Sequence, residues 1–218
     1  MKIFTSLVAL ALLFTNVCLA QDEPGQPHEI KTIFRDNRPH ASGAFGALSN
    51  KFSTIKGEPA NIVEIYGGWY VNHRFLLGVG AAASTNNIVV PIEFRTEPTR
   101  RMSYEYGQFG LMTEYIVASD RSLHIGFQMF AGAGFTLQYD RDQHKSENEN
   151  DEIRDYDHDT NWFTVAEPGV KVEMNIFRWM RFAPGISYRL AHGSNGKGMS
   201  DDDINGTSIN LTLKFGKF

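Results

Sequence analysis

Between residues 123 and 139 the chain alternates with a period of two. Leu123, Ile125, Phe127, Met129, Ala131, Ala133, Phe135, Leu137 and Tyr139 form one face. His124, Gly126, Gln128, Phe130, Gly132, Gly134, Thr136 and Gln138 form the other, polar or small at every position but Phe130. Successive side chains of a strand point to opposite sides, so the pattern predicts a long strand with one continuous apolar face. A tilted strand of about 9–11 residues already crosses a bilayer, and this one is longer.

Seven further segments follow, six of them by the same rule. The first, residues 42–55 (SGAFGALSNKFSTI), has no clear facing, and residues 56–60 (KGEPA) read as a short loop. In the second, Val63, Ile65, Gly67, Trp69 and Val71 oppose Glu64, Tyr66, Gly68 and Tyr70, and a tight polar turn follows at 72–74. The third, 75–85, sets Phe75, Leu77, Val79, Ala81 and Ala83 against Leu76, Gly78, Gly80, Ala82 and Ser84. The fourth, 104–117, sets Phe109, Leu111, Tyr115 and Val117 against Gln108, Gly110, Met112 and Glu114, and a turn at 119–121 leads into the fifth.

In the sixth, 162–176, Ala166, Val170, Val172, Met174 and Ile176 oppose Glu167, Gly169, Lys171, Glu173 and Asn175, and Pro168 predicts a bulge or a break in pairing. A turn at 177–179 leads to the seventh, 180–190, where Phe182, Pro184, Ile186, Tyr188 and Leu190 oppose Arg181, Ala183, Gly185, Ser187 and Arg189. The eighth, from residue 206, sets Ile209, Leu211, Leu213 and Phe215 against Asn210, Thr212 and Lys214. Connections after segments two, four and six are tight. Those after three, five and seven are long, and the one after the first is short but of the looser kind.

Composition narrows the reading. The 218 residues are 42% hydrophobic with a net charge of -4, ordinary for one domain and unlike a nucleic-acid binder. Residues 1–20, with Lys2, an apolar run at 7–14 and small residues at Cys18 and Ala20, read as a secretory signal peptide. Residues 21–40 are polar, contain three prolines and read as a leader; the barrel domain is 41–218. The sole cysteine, Cys18, lies in the signal segment, so the mature chain offers neither a disulfide framework nor a thiolate metal site. No later apolar run makes a membrane helix, so a membrane role must come from strands.

Signal segment, eight alternating segments, tight turns at one end and a terminal Phe218 together resemble the small eight-stranded outer-membrane β-barrel proteins of the OmpA/OmpX kind, over about residues 42–218. The resemblance implies an all-β, antiparallel, up-and-down transmembrane barrel with turns in the periplasm and loops outside. It also implies residence in the outer membrane of a Gram-negative cell, contact with outer-membrane lipid, and reading of Phe218 by the barrel-assembly machinery. Counting back by twos from Phe218 gives Gly216, Lys214 and Thr212, the polar phase, so a bulge at Gly216 is needed to restore the apolar one.

The inward phase collects Glu64, Glu114, His124, Glu167, Lys171, Glu173, Arg181, Arg189 and Lys214. Charges inside a narrow barrel must pair or stay hydrated, which predicts a salt-bridge plug; a gated polar or proton path is the alternative. Glu114, His124 and Glu173 have the residue types for acid–base work, but phase alone does not bring them into catalytic geometry. The lipid-facing set is Val63, Ile65, Trp69, Leu111, Ile125, Phe127, Met129, Phe135, Val170, Val172, Ile186, Leu211 and Leu213. Tyr66, Trp69, Tyr70, Tyr104, Tyr106, Tyr115, Trp162, Trp179 and Tyr188 fit interfacial girdles.

The acidic stretch 140–160, with Asp151, Glu152, Asp155, Asp157, His158 and Asp159, reads as a solvated outer loop; calcium is the alternative, without the ligand spacing of an EF-hand. The run Asp201, Asp202 and Asp203 reads the same way. Gly132 and Gly134 precede no helix, so they make no nucleotide loop and instead give room to a curved strand or a bulky neighbour. No catalytic, cofactor or metal residue is assigned. The leading expectation is a non-enzymatic barrel with a side-chain-plugged lumen and a structural or surface-interaction role. The alternatives are a narrow ion or solute channel of the same fold, and a soluble secreted barrel of lipocalin type holding an apolar ligand, which needs the two faces reversed.

Overall fold

A computed structural model of the protein describes residues 43–71, 74–118, 121–141 and 160–217. The signal segment, the leader, the calcium alternative at 151–159 and Phe218 lie outside the described residues. Eight strands make the barrel: β1 (Gly43–Ile55), β2 (Glu58–Val71), β3 (Phe75–Ser84), β4 (Met102–Val117), β5 (Leu123–Asp140), β6 (Asn161–Phe177), β7 (Met180–His192) and β8 (Gly206–Gly216). Each pairs antiparallel with the next. β8 returns to β1, with Phe45 opposite Gly216 and Phe52 opposite Ile209, so the sheet closes and no barrel strand is left with an unpaired edge. The wall is uneven. β4, β5 and β6 run 16, 18 and 17 residues whereas β3 has 10 and β8 has 11, so one side rises well above the other at the loop end.

Alternation sorts the side chains as pleating requires. Ile65, Trp69, Leu77, Val79, Leu111, Phe127, Ile186 and Ile209 are exposed on the outside, while Glu64, Glu114, Glu167, Lys171, Glu173 and Lys214 are buried inside. That arrangement is opposite to the one a soluble, ligand-filled barrel requires, and it removes the lipocalin alternative. β1, which the alternation alone does not orient, turns Phe45, Ala47, Ser49 and Lys51 inward and Leu48 and Phe52 outward.

Several local expectations change. Residues 56–60 are not a loop: Ile55 pairs with Glu58, and the chain reverses in two residues, Lys56 and Gly57, both at positive φ (54° and 75°). Such a turn matches strand twist, and glycine meets its backbone demand without strain. Of the two outcomes expected at Pro168, the break in pairing is present and the bulge is not. The β6–β7 ladder loses pairs there and opposite Pro184, yet Ala166 faces Leu190 and Gly169 faces Ser187 in one register; the shift falls instead between Asn175 and Phe177. β8 keeps one register with β1 as far as Gly216. Gly132 lies opposite Gly110, and a Cβ on it would stand 2.1 Å from the Phe109 carbonyl oxygen, a close approach only glycine permits.

Candidate functional site

The inside of the barrel holds five cations, Lys51, Lys171, Arg181, Arg189 and Lys214, and four carboxylates, Glu64, Glu114, Glu167 and Glu173, all at most 4% exposed. Strand register divides them into two layers. Nearer the turns, Glu114 on β4 accepts from Lys171 on β6 and, at 2.5 Å, from Lys214 on β8. Lys214 also reaches Glu173, which contacts His124 Nε2 at 3.1 Å and Arg181 at 3.4 Å. Tyr70 donates to Glu114 at 3.2 Å, and its oxygen and that of Tyr66 each lie 3.1 Å from a lysine, Lys214 and Lys171.

The second layer lies nearer the loops. Lys51 joins Glu64 at 2.6 Å and Glu167 at 2.9 Å. Ser187 donates to Glu167 Oε1 at 2.5 Å, Gln108 to its Oε2 at 3.2 Å, and Tyr106 bonds Gln108. The Arg189 guanidinium donates to the Ile204 and Thr54 carbonyls at 2.8 and 3.0 Å and lies 4.8 Å over the Tyr106 ring. Charges this deeply buried are tolerable only because each ion has an opposite partner or carbonyl oxygens within reach.

Above the charged layers, the long connections fold over the loop end. Ile88 and Val90 from residues 85–101 and Met199 and Ile204 from residues 193–205 join Ile55, Ile62, Tyr104 and Phe163 in one buried apolar cluster. Backbone carbonyls hold this lid in place: Tyr104 donates to Lys197 O at 2.8 Å, Gln138 to Phe94 O at 2.9 Å and Lys56 Nζ to Gly198 O at 2.5 Å. A short helix, α1 (Asp201–Ile204), is closed by a capping box between Ser200 and Asp203. Partial burial pushes the Asp203 carboxyl up, but Ser200's backbone and hydroxyl donors together with Lys56 outweigh it and hold the group below the ordinary aspartate range.

All nine sequence-assigned inner residues lie in these two layers, and the thirteen assigned outward all point away from the lumen. Four tyrosines need correction. Tyr66, Tyr70, Tyr104 and Tyr106 are buried inside, where their hydroxyls serve the charged layers and the lid rather than a girdle. Trp69, Tyr115, Trp162, Trp179 and Tyr188 are exposed outside. Sequence reasoning misses Lys51, the bridge of the upper layer; the even spacing of Leu48 and Phe52 against Ser49 and Lys51 is the available signal. Both ring nitrogens of His124 are engaged, Nδ1 at 3.1 Å from Arg121 O, and neither it nor Glu173 has exposed side-chain surface, so these groups offer no open face to a substrate. Among the described residues no group of His, Cys, Asp and Glu is arranged to hold a metal.

Two crystal structures set this closed, loop-capped barrel among known ones. Neisserial surface protein A, NspA, superposes with a TM-score of 0.57 at 7% identity, over 81% of this chain and 97% of that one. A major outer membrane protein from Thermus thermophilus does so with 0.52 at 8% identity, over 81% and 100%. The chain has the eight-stranded outer-membrane β-barrel fold. Identities this low speak to the fold alone. No protein-family model and no curated protein sequence matches the chain.

Proposed function

We propose that the chain is a non-enzymatic integral barrel of a Gram-negative outer membrane, exported by a cleaved signal peptide, with a lumen closed by its own side chains and a structural or surface-interaction role carried by the loop end. The observation that carries this reading is the cross-lumen layer in which Lys214 and Lys171 hold Glu114, backed by the Lys51 layer and the apolar lid. A pore would need a hydrated path through two paired layers and past Ile88 and Ile204. On the outside, Val63, Ile65, Trp69, Leu111, Ile125, Phe127, Met129, Phe135, Val170, Val172, Ile186, Leu211 and Leu213 meet lipid, with barrel-assembly machinery needed only for insertion.

Two measurements test it. Carbonate washing of cell envelopes should leave the protein in the membrane, and unboiled samples should migrate differently from boiled ones in detergent gels; release by the wash with no shift overturns the membrane reading. Purified barrels in planar bilayers should be electrically silent. Steady single-channel conductance would replace the plug with the narrow-channel alternative.

A further inference from the structure

The two ends of the barrel differ in the charge they show to their surroundings. Among the described residues every carboxylate outside the lumen lies toward the loop end, Glu58, Glu105 and Asp140 on the strands and the rest in the connection 85–101 and in α1. The turn end is the reverse. Arg74, Arg121, Arg178 and Lys217 stand at its three tight turns and at the end of β8, and all four are exposed. None of their side chains has a hydrogen bond or ion pair with a described residue; Asp120, the one acid that the sequence places in these turns, lies outside the described residues. Beyond the pair Phe215–Met180, Gly216 N donates to Trp179 O at 3.0 Å, which brings Lys217 beside the Arg178–Trp179 turn. Next to these two cations, Phe177, Trp179 and Phe215 form an exposed ladder of stacked rings, with centroids 5.7 and 6.1 Å apart.

We propose that Arg178 and Lys217, with this aromatic ladder, form a site for the headgroup phosphate of an anionic glycerophospholipid; the proposal rests on the membrane-barrel reading above. Exposed aromatic rings at strand ends settle at the level of the headgroups, so the ladder fixes the height of the site. Long basic side chains beside them keep their stems on apolar surface and their charges at the phosphates. Two cations side by side repel each other, and an anion between them turns that repulsion into attraction. A zwitterionic headgroup brings its own ammonium with its phosphate and satisfies the pair less well, which gives the site its preference for lipid of net negative charge. The rings select lipid over a soluble anion, because three exposed apolar faces need hydrocarbon against them. Arg74 and Arg121 extend the same character round the rim, where Ile116 N bonds Arg74 O and Asn175 Nδ2 bonds Arg121 O between neighbouring turns.

The test uses the full chain with Trp69→Phe and Trp162→Phe, which leaves Trp179 as the sole tryptophan. In vesicles of phosphatidylcholine carrying a small share of brominated lipid, the emission of Trp179 reports which headgroup is held beside it, because bromine quenches only at close range. Brominated phosphatidylglycerol should show a binding constant about fivefold above that of brominated phosphatidylcholine, the preference worth one surface cation. Arg178→Gln with Lys217→Gln should bring the ratio to about one with the heat-dependent gel shift unchanged, whereas the charge-keeping Arg178→Lys, and Arg101→Gln at the loop end, should leave it as it was. Equal constants in the parent, or a preference that survives the double variant, would overturn the site. A preference erased by excess inorganic phosphate at constant ionic strength would assign the cations to a soluble anion and overturn the lipid. No quenching by either lipid, or no gel shift in the parent, would instead overturn the barrel reading beneath it.

Discussion

The Lys214 ammonium lies 2.5 Å from Glu114 Oε2, joining β8 to β4, four strands away around an eight-stranded wall. The contact therefore crosses the full width of the lumen. Such a tie holds opposite walls together as well as satisfying two buried charges, and the same lysine also holds Glu173 on β6.

Lys214→Met should accordingly lower folding stability by about 3–5 kcal/mol, because it strands buried carboxylates rather than removing a balanced pair. Glu114 would keep Lys171 and the Tyr70 hydroxyl, and Glu173 His124 and Arg181. Adding Glu114→Gln should deepen the loss, since it takes from Lys171 the carboxylate it is paired with. Urea titration followed by the unboiled gel band measures both; a double variant more stable than the single would contradict the cross-lumen account.

If the lumen is plugged as proposed, the lid and the charged layers each close it, so opening one should not make the barrel conduct. Ile204→Ala removes a fully buried side chain and should cost about 2–4 kcal/mol, while leaving the Arg189 bond to its backbone carbonyl in place. Planar bilayers should remain silent with this variant because Lys51, Glu64 and Glu167 still fill the layer beneath. Conductance appearing with Ile204→Ala alone would make the lid the gate.

Gly132→Val tests why β4 and β5 can pass so closely. The added side chain would press on the Phe109 carbonyl, which is part of the backbone and cannot swing aside. Overpacking of this kind costs about 1–3 kcal/mol. Gly46→Val, at an outward position with no atom within 4 Å of the added Cβ, should be close to neutral in the same unfolding assay.

The period of two carries most of the architecture, because burial of one face makes a one-residue slip intolerable along every strand. It fails where that argument loses force. β1 mixes Phe45 inside with Phe52 and Asn50 outside, so hydrophobicity alone does not orient it and Lys51 goes unseen. Tyr66, Tyr70, Tyr104 and Tyr106 stand in the inward phase, but a tyrosine suits an interface or a wet interior equally well; only the charges across the lumen decide. Salt-bridge partners such as Lys51 and Glu167, 116 residues apart, depend on strand order and tilt, which no local pattern encodes. The lid is illegible for a similar reason: Ile88, Val90 and Met199 sit in connections, where isolated apolar residues have no period to reveal what they cover.

Met129 and Gln128 are neighbours in β5 with opposite fates, and a single charge tells them apart. Met129 faces outward, opposite Thr113 and Pro168, near the middle of the apolar run from Leu123 to Phe135. Met129→Lys should therefore cost about 2–4 kcal/mol, the penalty for a cation at the midplane of a barrel's lipid face. Gln128 faces inward opposite Glu114, so Gln128→Lys meets a carboxylate as well as the ammonium groups already there and should cost less. Folding into lipid vesicles of each variant, read as the fraction that shifts on boiling, gives the comparison directly. Equal losses at the two positions would mean that the outer wall does not face hydrocarbon at this height.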